Sequence, residues 1–245
     1  MKTGSPPKRP AAASPSRGRH QWPGKAGSTV ALGCAVVCVA ALVSACGSKP
    51  RQPDWLVNAD GAQDRFERTY LEGNDRVADT EFTRFRTEVS STAQPGLLAR
   101  AELTRCAVHL ASLDLAPCTG FERLRADAPE AERAYADFLA GRATPEQAKL
   151  LPEDYRGIAG GEGGAAALKK IKNPLPRVIA AAVLLRTEKA DPEVLQVATD
   201  TASEQGWRRA VLAWLGAQAM RAEKAGATEE AARLRRRMQI AAEQK

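Results

Sequence analysis

The chain has 245 residues, with 36 Lys and Arg against 29 Asp and Glu and a formal net charge of +7. Six of the basic residues and none of the acidic ones precede residue 46, which leaves 30 against 29 in the rest of the chain. The remainder therefore lacks the basic surplus with which proteins bind nucleic acid. Its length suffices for one domain with a sizeable core.

The first 45 residues have the pattern of a secretory signal peptide. A basic segment that contains no acidic residue is followed by residues 30–43, an apolar run of fourteen residues without a charge. As a helix, this run covers ~21 Å, which is shorter than the ~30 Å hydrocarbon core of a bilayer. We therefore expect residues 1–45 to be cleaved. The alternative is a membrane protein that retains residues 30–46 as a spanning helix.

The apolar run ends in Val43-Ser44-Ala45-Cys46, a motif that resembles the lipobox of bacterial lipoproteins. The resemblance implies that Cys46 receives a diacylglyceryl group and a further acyl chain such as palmitate, and that it becomes the mature N-terminus. Three acyl chains at ~0.8 kcal/mol per buried CH₂ anchor a protein stably. Gly47 follows in place of the aspartate that retains such proteins at the inner membrane. The family therefore implies a periplasm-facing outer-membrane protein if the cell has two membranes.

After a polar, proline-bearing tether at residues 46–57, the pattern predicts an all-α domain over residues 58–245. Apolar residues recur at helical spacing between glycine and proline breaks, for example at Ala78, Phe82, Phe85 and Val89. Residues 178–185 are apolar all round, which predicts a central buried helix. The glycine cluster at residues 160–164 predicts a hinge between two helical halves. We expect helical hairpins packed as an irregular bundle or a short solenoid.

Two of the predicted hairpins resemble tetratricopeptide repeats. Gly73, Ala78 and Phe82 have the spacing of that family's turn and second helix, and Leu215-Gly216 matches its first helix. The resemblance implies a superhelical surface that binds a protein or a peptide.

Two cysteines lie within the predicted domain, Cys106 and Cys118. In an oxidising periplasm we expect them to form a disulfide. If the helix that carries Cys106 runs to Asp114, the chain must span ~12 Å with a reach of ~13 Å. The alternative is a catalytic thiol at Cys106 activated by His109, one turn further along the helix.

The other candidate sites have simpler structural interpretations. Asn58 and Asp60 resemble part of a calcium loop, but Leu56 occupies its first ligand position. The glycine cluster lacks the Gly-Lys-Ser/Thr junction of a nucleotide loop. Trp207 and Trp214 form either a ligand stack or, at two-turn spacing, part of the core.

The arginine run at residues 233–237 is typical of a solvated helix face, since Glu229 and Glu230 lie within one turn. Only His109 remains among histidines after residue 45, which disfavours a histidine-based zinc site or triad. We therefore expect no enzyme, cofactor or metal. The expected function is a lipid-anchored interaction or assembly surface for an envelope protein. The alternative is a small-molecule binder near the glycine hinge and the helix of Trp207 and Trp214.

Overall fold

The computed structural model describes residues 52–243, and the predicted signal peptide, the lipobox-like motif and Cys46 lie outside them. In the described part of the chain there are eleven α-helices, one 3₁₀ helix and no strand, so the domain is all-α as predicted. The α-helices are α1 (Asp54–Glu72), α2 (Asp75–Ser90), α3 (Pro95–Ala111), α4 (Thr119–Glu122), α5 (Glu130–Leu139), α6 (Glu153–Ala159), α7 (Gly164–Lys170), α8 (Pro174–Arg186), α9 (Pro192–Glu204), α10 (Arg208–Lys224) and α11 (Thr228–Ala242). The 3₁₀ helix, Gln147–Leu150, lies between α5 and α6.

The first two helices form a hairpin with the predicted turn. Gly73 adopts φ 92°, a left-handed conformation that glycine tolerates, and its N–H donates to the carbonyl of Tyr70. The Asn74 side chain then accepts from the N–H of Val77 and caps α2. Helix α1 begins at Asp54, inside the predicted tether, because Trp55 packs against the core and extends the buried face.

Helix α8 is the central buried helix that the sequence predicts. Val178 and the three alanines that follow Ile179 are 0% exposed. Helices α3, α5, α6, α7 and α9 all pack around α8. Small side chains on α8 allow its neighbours to approach closely, which compensates for the scarcity of aromatic residues.

The last three helices form two further hairpins with glycine turns. Gly206 and Gly226 adopt φ 69° and 73° and end α9 and α10. Helix α11 packs mainly against α10, where Leu215, Ala219 and Leu234 belong to a small separate apolar cluster. The outer side of α11 is consequently exposed.

Contacts between α10 and the first helices close the fold. The Arg209 guanidinium donates to the carbonyl of Tyr70 and pairs with Asp75, residues that lie more than 130 positions earlier. Residues from 52 onward form one compact unit. Residues 160–164 connect α6 to α7 within it, and the hinge stays a prediction. Among the described helices, none combines the length and the hydropathy that crossing a bilayer requires.

Candidate functional site

The loop between α3 and α4 connects the two cysteines that are predicted to form a disulfide. The structure places Cys106 and Cys118 at disulfide distance, with Cα atoms 5.7 Å apart and a sequence separation of 12. Helix α3 ends at Ala111, three residues earlier than the limit assumed above, and Leu113 turns the chain with φ 61°. The loop therefore has more chain available than the sequence estimate allowed, and the predicted pairing is confirmed at the level of distance.

Two cavities flank this loop, which we call the clasp loop (residues 112–118). The larger has a volume of about 470 Å³ and polar walls, and the smaller has about 200 Å³ and mainly apolar walls. Both are lined by the residues Cys106, Asp114, Ala116 and Pro117. The clasp loop is thus a shared wall, and its position determines the shape of both cavities.

His109 lies on the larger cavity in a stack of charged and aromatic groups. The His109 ring stacks on the Tyr70 ring with centroids 4.2 Å apart. The guanidinium carbon of Arg209 lies over the Tyr70 ring, 4.3 Å from its centroid. The Nδ1 of His109 lies 3.0 Å from a carboxylate oxygen of Asp114. Burial lowers the pKa of His109 from its ordinary value, and the neighbouring Asp114 carboxylate opposes that change. We therefore assign a neutral imidazole to His109 at neutral pH.

The proposed thiol–imidazole pair does not form in this arrangement. The sulfur of Cys106 is engaged by Cys118, and the Nδ1 of His109 is engaged by Asp114. A nucleophilic cysteine requires a free thiolate within hydrogen-bond reach of its base. His109 is instead part of the wall of the larger cavity.

An ion pair and a glycine fix the opposite wall of that cavity. The Nε of Arg86 donates to the Glu102 carboxylate over 2.7 Å, although Glu102 lies in the buried part of α3. A Cβ added to Gly120 would lie 2.1 Å from the Glu102 carboxylate oxygen. A side chain at position 120 would therefore displace the Glu102 carboxylate from its present position in this ion pair.

The smaller cavity contains a half-buried arginine, Arg186, at the C-terminal end of α8. Its Nε is shielded from solvent and has no hydrogen-bond acceptor among the described residues. Burial lowers the pKa of Arg186 from its ordinary value, Arg142 lowers it further, and Asp114 opposes both effects. The sequence analysis missed this residue, which directly follows the apolar run of residues 178–185 but carries no sequence mark of being unpaired.

The remaining candidates are structural. Trp214 is 0% exposed and its indole N–H donates to the carbonyl of Ala111, whereas Trp207 is half-buried against the core. Lys169 and Lys170, beside the glycine cluster, pair with Glu193 and with Glu162. A ligand stack of the two tryptophans is therefore wrong.

The segment that resembles part of a calcium loop is helical in the structure, whereas a calcium site of that type needs a loop. Asn58 and Asp60 lie in regular helix within α1. In the described residues there is no group of three or more His, Cys, Asp or Glu arranged to hold a metal ion.

The arginine run on α11 is partly neutralised, as the sequence predicts. Arg233 pairs with Glu230, and Arg235 pairs with Glu223 of the neighbouring helix. Arg236 and Arg237 have no ion pair among the described residues, so the outer face of α11 keeps a positive charge.

Comparisons with known proteins return no match: no family model, no curated protein and no solved structure is similar to this chain. The resemblances to a lipobox and to tetratricopeptide hairpins are therefore the only family relations on which a proposal can draw.

Proposed function

We propose that the protein is an envelope lipoprotein, anchored through acylated Cys46, whose helical domain displays a binding surface to another envelope protein. The observation that carries this proposal is the pairing of Cys106 with Cys118. Disulfides persist in oxidising compartments and are rare in the cytosol. The pairing thus supports export independently of the signal-like N-terminus, and the two features lie in separate parts of the chain.

The outer face of the α10–α11 hairpin supports the interaction role best. Met220 on α10 and Ile240 on α11 are 65% and 68% exposed, which is unusual for large apolar side chains. Arg236 and Arg237 add positive charge to the same terminal hairpin. Methionine and arginine are enriched in protein interfaces. We therefore propose a partner with an acidic surface.

The anchoring half of the proposal is tested by the intact mass of the membrane-extracted protein. The cysteines are alkylated before and after reduction. We expect a chain that begins at acylated Cys46, with Cys106 and Cys118 alkylated only after reduction. A full-length chain without lipid would contradict the anchoring proposal. Alkylation of Cys106 without reduction would contradict the argument for an oxidising compartment.

The interaction half is tested by photo-crosslinking from position 240 in intact cells. We expect one reproducible acidic envelope protein to be captured, and R236E/R237E to abolish the capture. The matched control is R68E/R76E, which reverses two exposed charges on α1 and α2 and should leave the capture unchanged. Capture that survives R236E/R237E, or that both double variants reduce equally, would contradict the assignment of this surface.

A further inference from the structure

Arg186 differs from the other arginines around the clasp loop because the described residues leave its Nε unsatisfied. Arg125 pairs with Glu122, and Arg142 pairs with Asp137. A shielded donor without an acceptor is costly, and native proteins rarely retain one without a reason. Arg186 lines a cavity and makes no ion pair among the described residues, so an external acceptor can approach its guanidinium from the cavity.

The charged side chains of this wall differ in whether they have a partner. Two acidic residues line the cavity with Arg142 and Arg186, but each already has a partner. Glu122 accepts from Arg125 over 2.7 Å, and Asp114 lies 3.0 Å from His109 and accepts from the N–H of Ala116. Arg186 is therefore the cation of this lining that makes no ion pair among the described residues, although the Asp114 carboxylate lies near enough to raise its pKa.

The remaining walls are apolar and small. Leu103, Leu110 and Leu139 are buried side chains of the lining, and Leu115 of the clasp loop is 46% exposed beside them. A volume of about 200 Å³ corresponds to roughly seven groups of the size of a water molecule, at ~30 Å³ each. The cavity therefore suits a ligand with one anionic end and a short apolar body.

We propose that this cavity binds a small monocarboxylate with a short aliphatic chain, whose carboxylate pairs with Arg186 and whose chain lies against the leucines. A planar guanidinium matches a carboxylate geometrically and can donate to both of its oxygens. Phosphate suits the site less well, because it carries more charge and needs more donors than one guanidinium and leucine walls supply. This inference does not depend on the anchor or on the α11 surface.

The experiment measures the binding of radiolabelled hexanoate to the full chain in lipid nanodiscs by equilibrium dialysis, with empty nanodiscs subtracted. We expect saturable binding to the wild-type protein. R186Q should weaken it by about tenfold or more, as the loss of a charge-assisted hydrogen bond does. The matched control R68Q removes the same charge from the exposed side of α1 and should change the affinity by less than about twofold.

Two further probes separate the contributions of the two ends of the ligand. Hexan-1-ol keeps the apolar chain without the charge, and acetate keeps the charge without the chain; both should compete with hexanoate much more weakly than unlabelled hexanoate does. If R186Q loses its helical circular dichroism, A116W replaces it, because Ala116 is exposed at the rim and a bulky ring there should block entry. Non-saturable binding, equal affinity in R186Q or A116W, or equal competition by hexan-1-ol would each overturn the proposal.

Discussion

Removing the Cys106–Cys118 bond should destabilise the domain by about 3 kcal/mol. A crosslink with a sequence separation of 12 restricts the unfolded chain by about that amount in the loop-entropy model. The native helices should change little, because other contacts still hold the residues on both sides of the clasp loop. Trp214 donates to the carbonyl of Ala111 just before it, and Phe121 is fully buried just after it. The expected effect therefore acts mainly through the unfolded state.

The assay is urea unfolding of the C106S/C118S variant and of the wild-type protein, followed by far-UV circular dichroism. With a slope of ~2 kcal/mol/M, the midpoint should fall by about 1.5 M, and the slope should rise because the unfolded chain is less restricted. Reduction should shift the wild-type midpoint to that of the variant and leave the variant unchanged. A loss below ~1 kcal/mol, or a reductant effect on the variant, would refute this reasoning.

Four further substitutions test other features of the fold. W214F should cost about 2 to 4 kcal/mol in urea unfolding, because it removes a buried hydrogen bond and leaves a void; a cost below ~1 kcal/mol would contradict this. Because burial lowers the pKa of His109, its contribution to stability should be complete above about pH 6.5 and decline as the pH falls towards its folded pKa. H109Q should remove this decline, and urea midpoints that fall equally in both proteins over this pH range would refute the assignment. A93G should raise the thermal midpoint because Ala93 has φ 53°, whereas A225G, at an ordinary helical φ, should lower it; the same sign for both would contradict the argument.

The helices could be predicted where local chemistry decides them. The apolar spacing from Ala78 to Val89 determined the face of α2, and the Asn74 cap determined its start. A local capping pattern did not lead to an α-helix where a proline follows a few residues later. Thr144 and Gln147 make the reciprocal bonds of a capping box, of 2.9 and 3.4 Å, yet only a 3₁₀ turn follows. Pro152 forces the residue before it into an extended conformation and ends the turn.

The candidate site could be predicted only in part. The presence of two cysteines in the domain and the expected oxidising compartment predicted the disulfide. The short separation of Cys106 and Cys118 allowed the reach of the chain between them to be estimated from the sequence. The stack of Arg209 on Tyr70 joins residues 139 positions apart, and no sequence spacing reports such a contact. Arg186 was likewise invisible, because its significance depends on which acidic groups other arginines had already engaged.

The clasp loop explains why one disulfide matters to two cavities of different character. Residues 114–117 are all exposed, so burial contributes little to holding them in place. Their position depends instead on the crosslink and on the Asp114 carboxylate, which lies against His109 and accepts from the N–H of Ala116. Since the same residues separate the polar cavity from the apolar one, loss of the crosslink should alter both walls together. Weaker hexanoate binding in C106S/C118S at unchanged helical content would show that the crosslink shapes the carboxylate site as well as stabilising the fold.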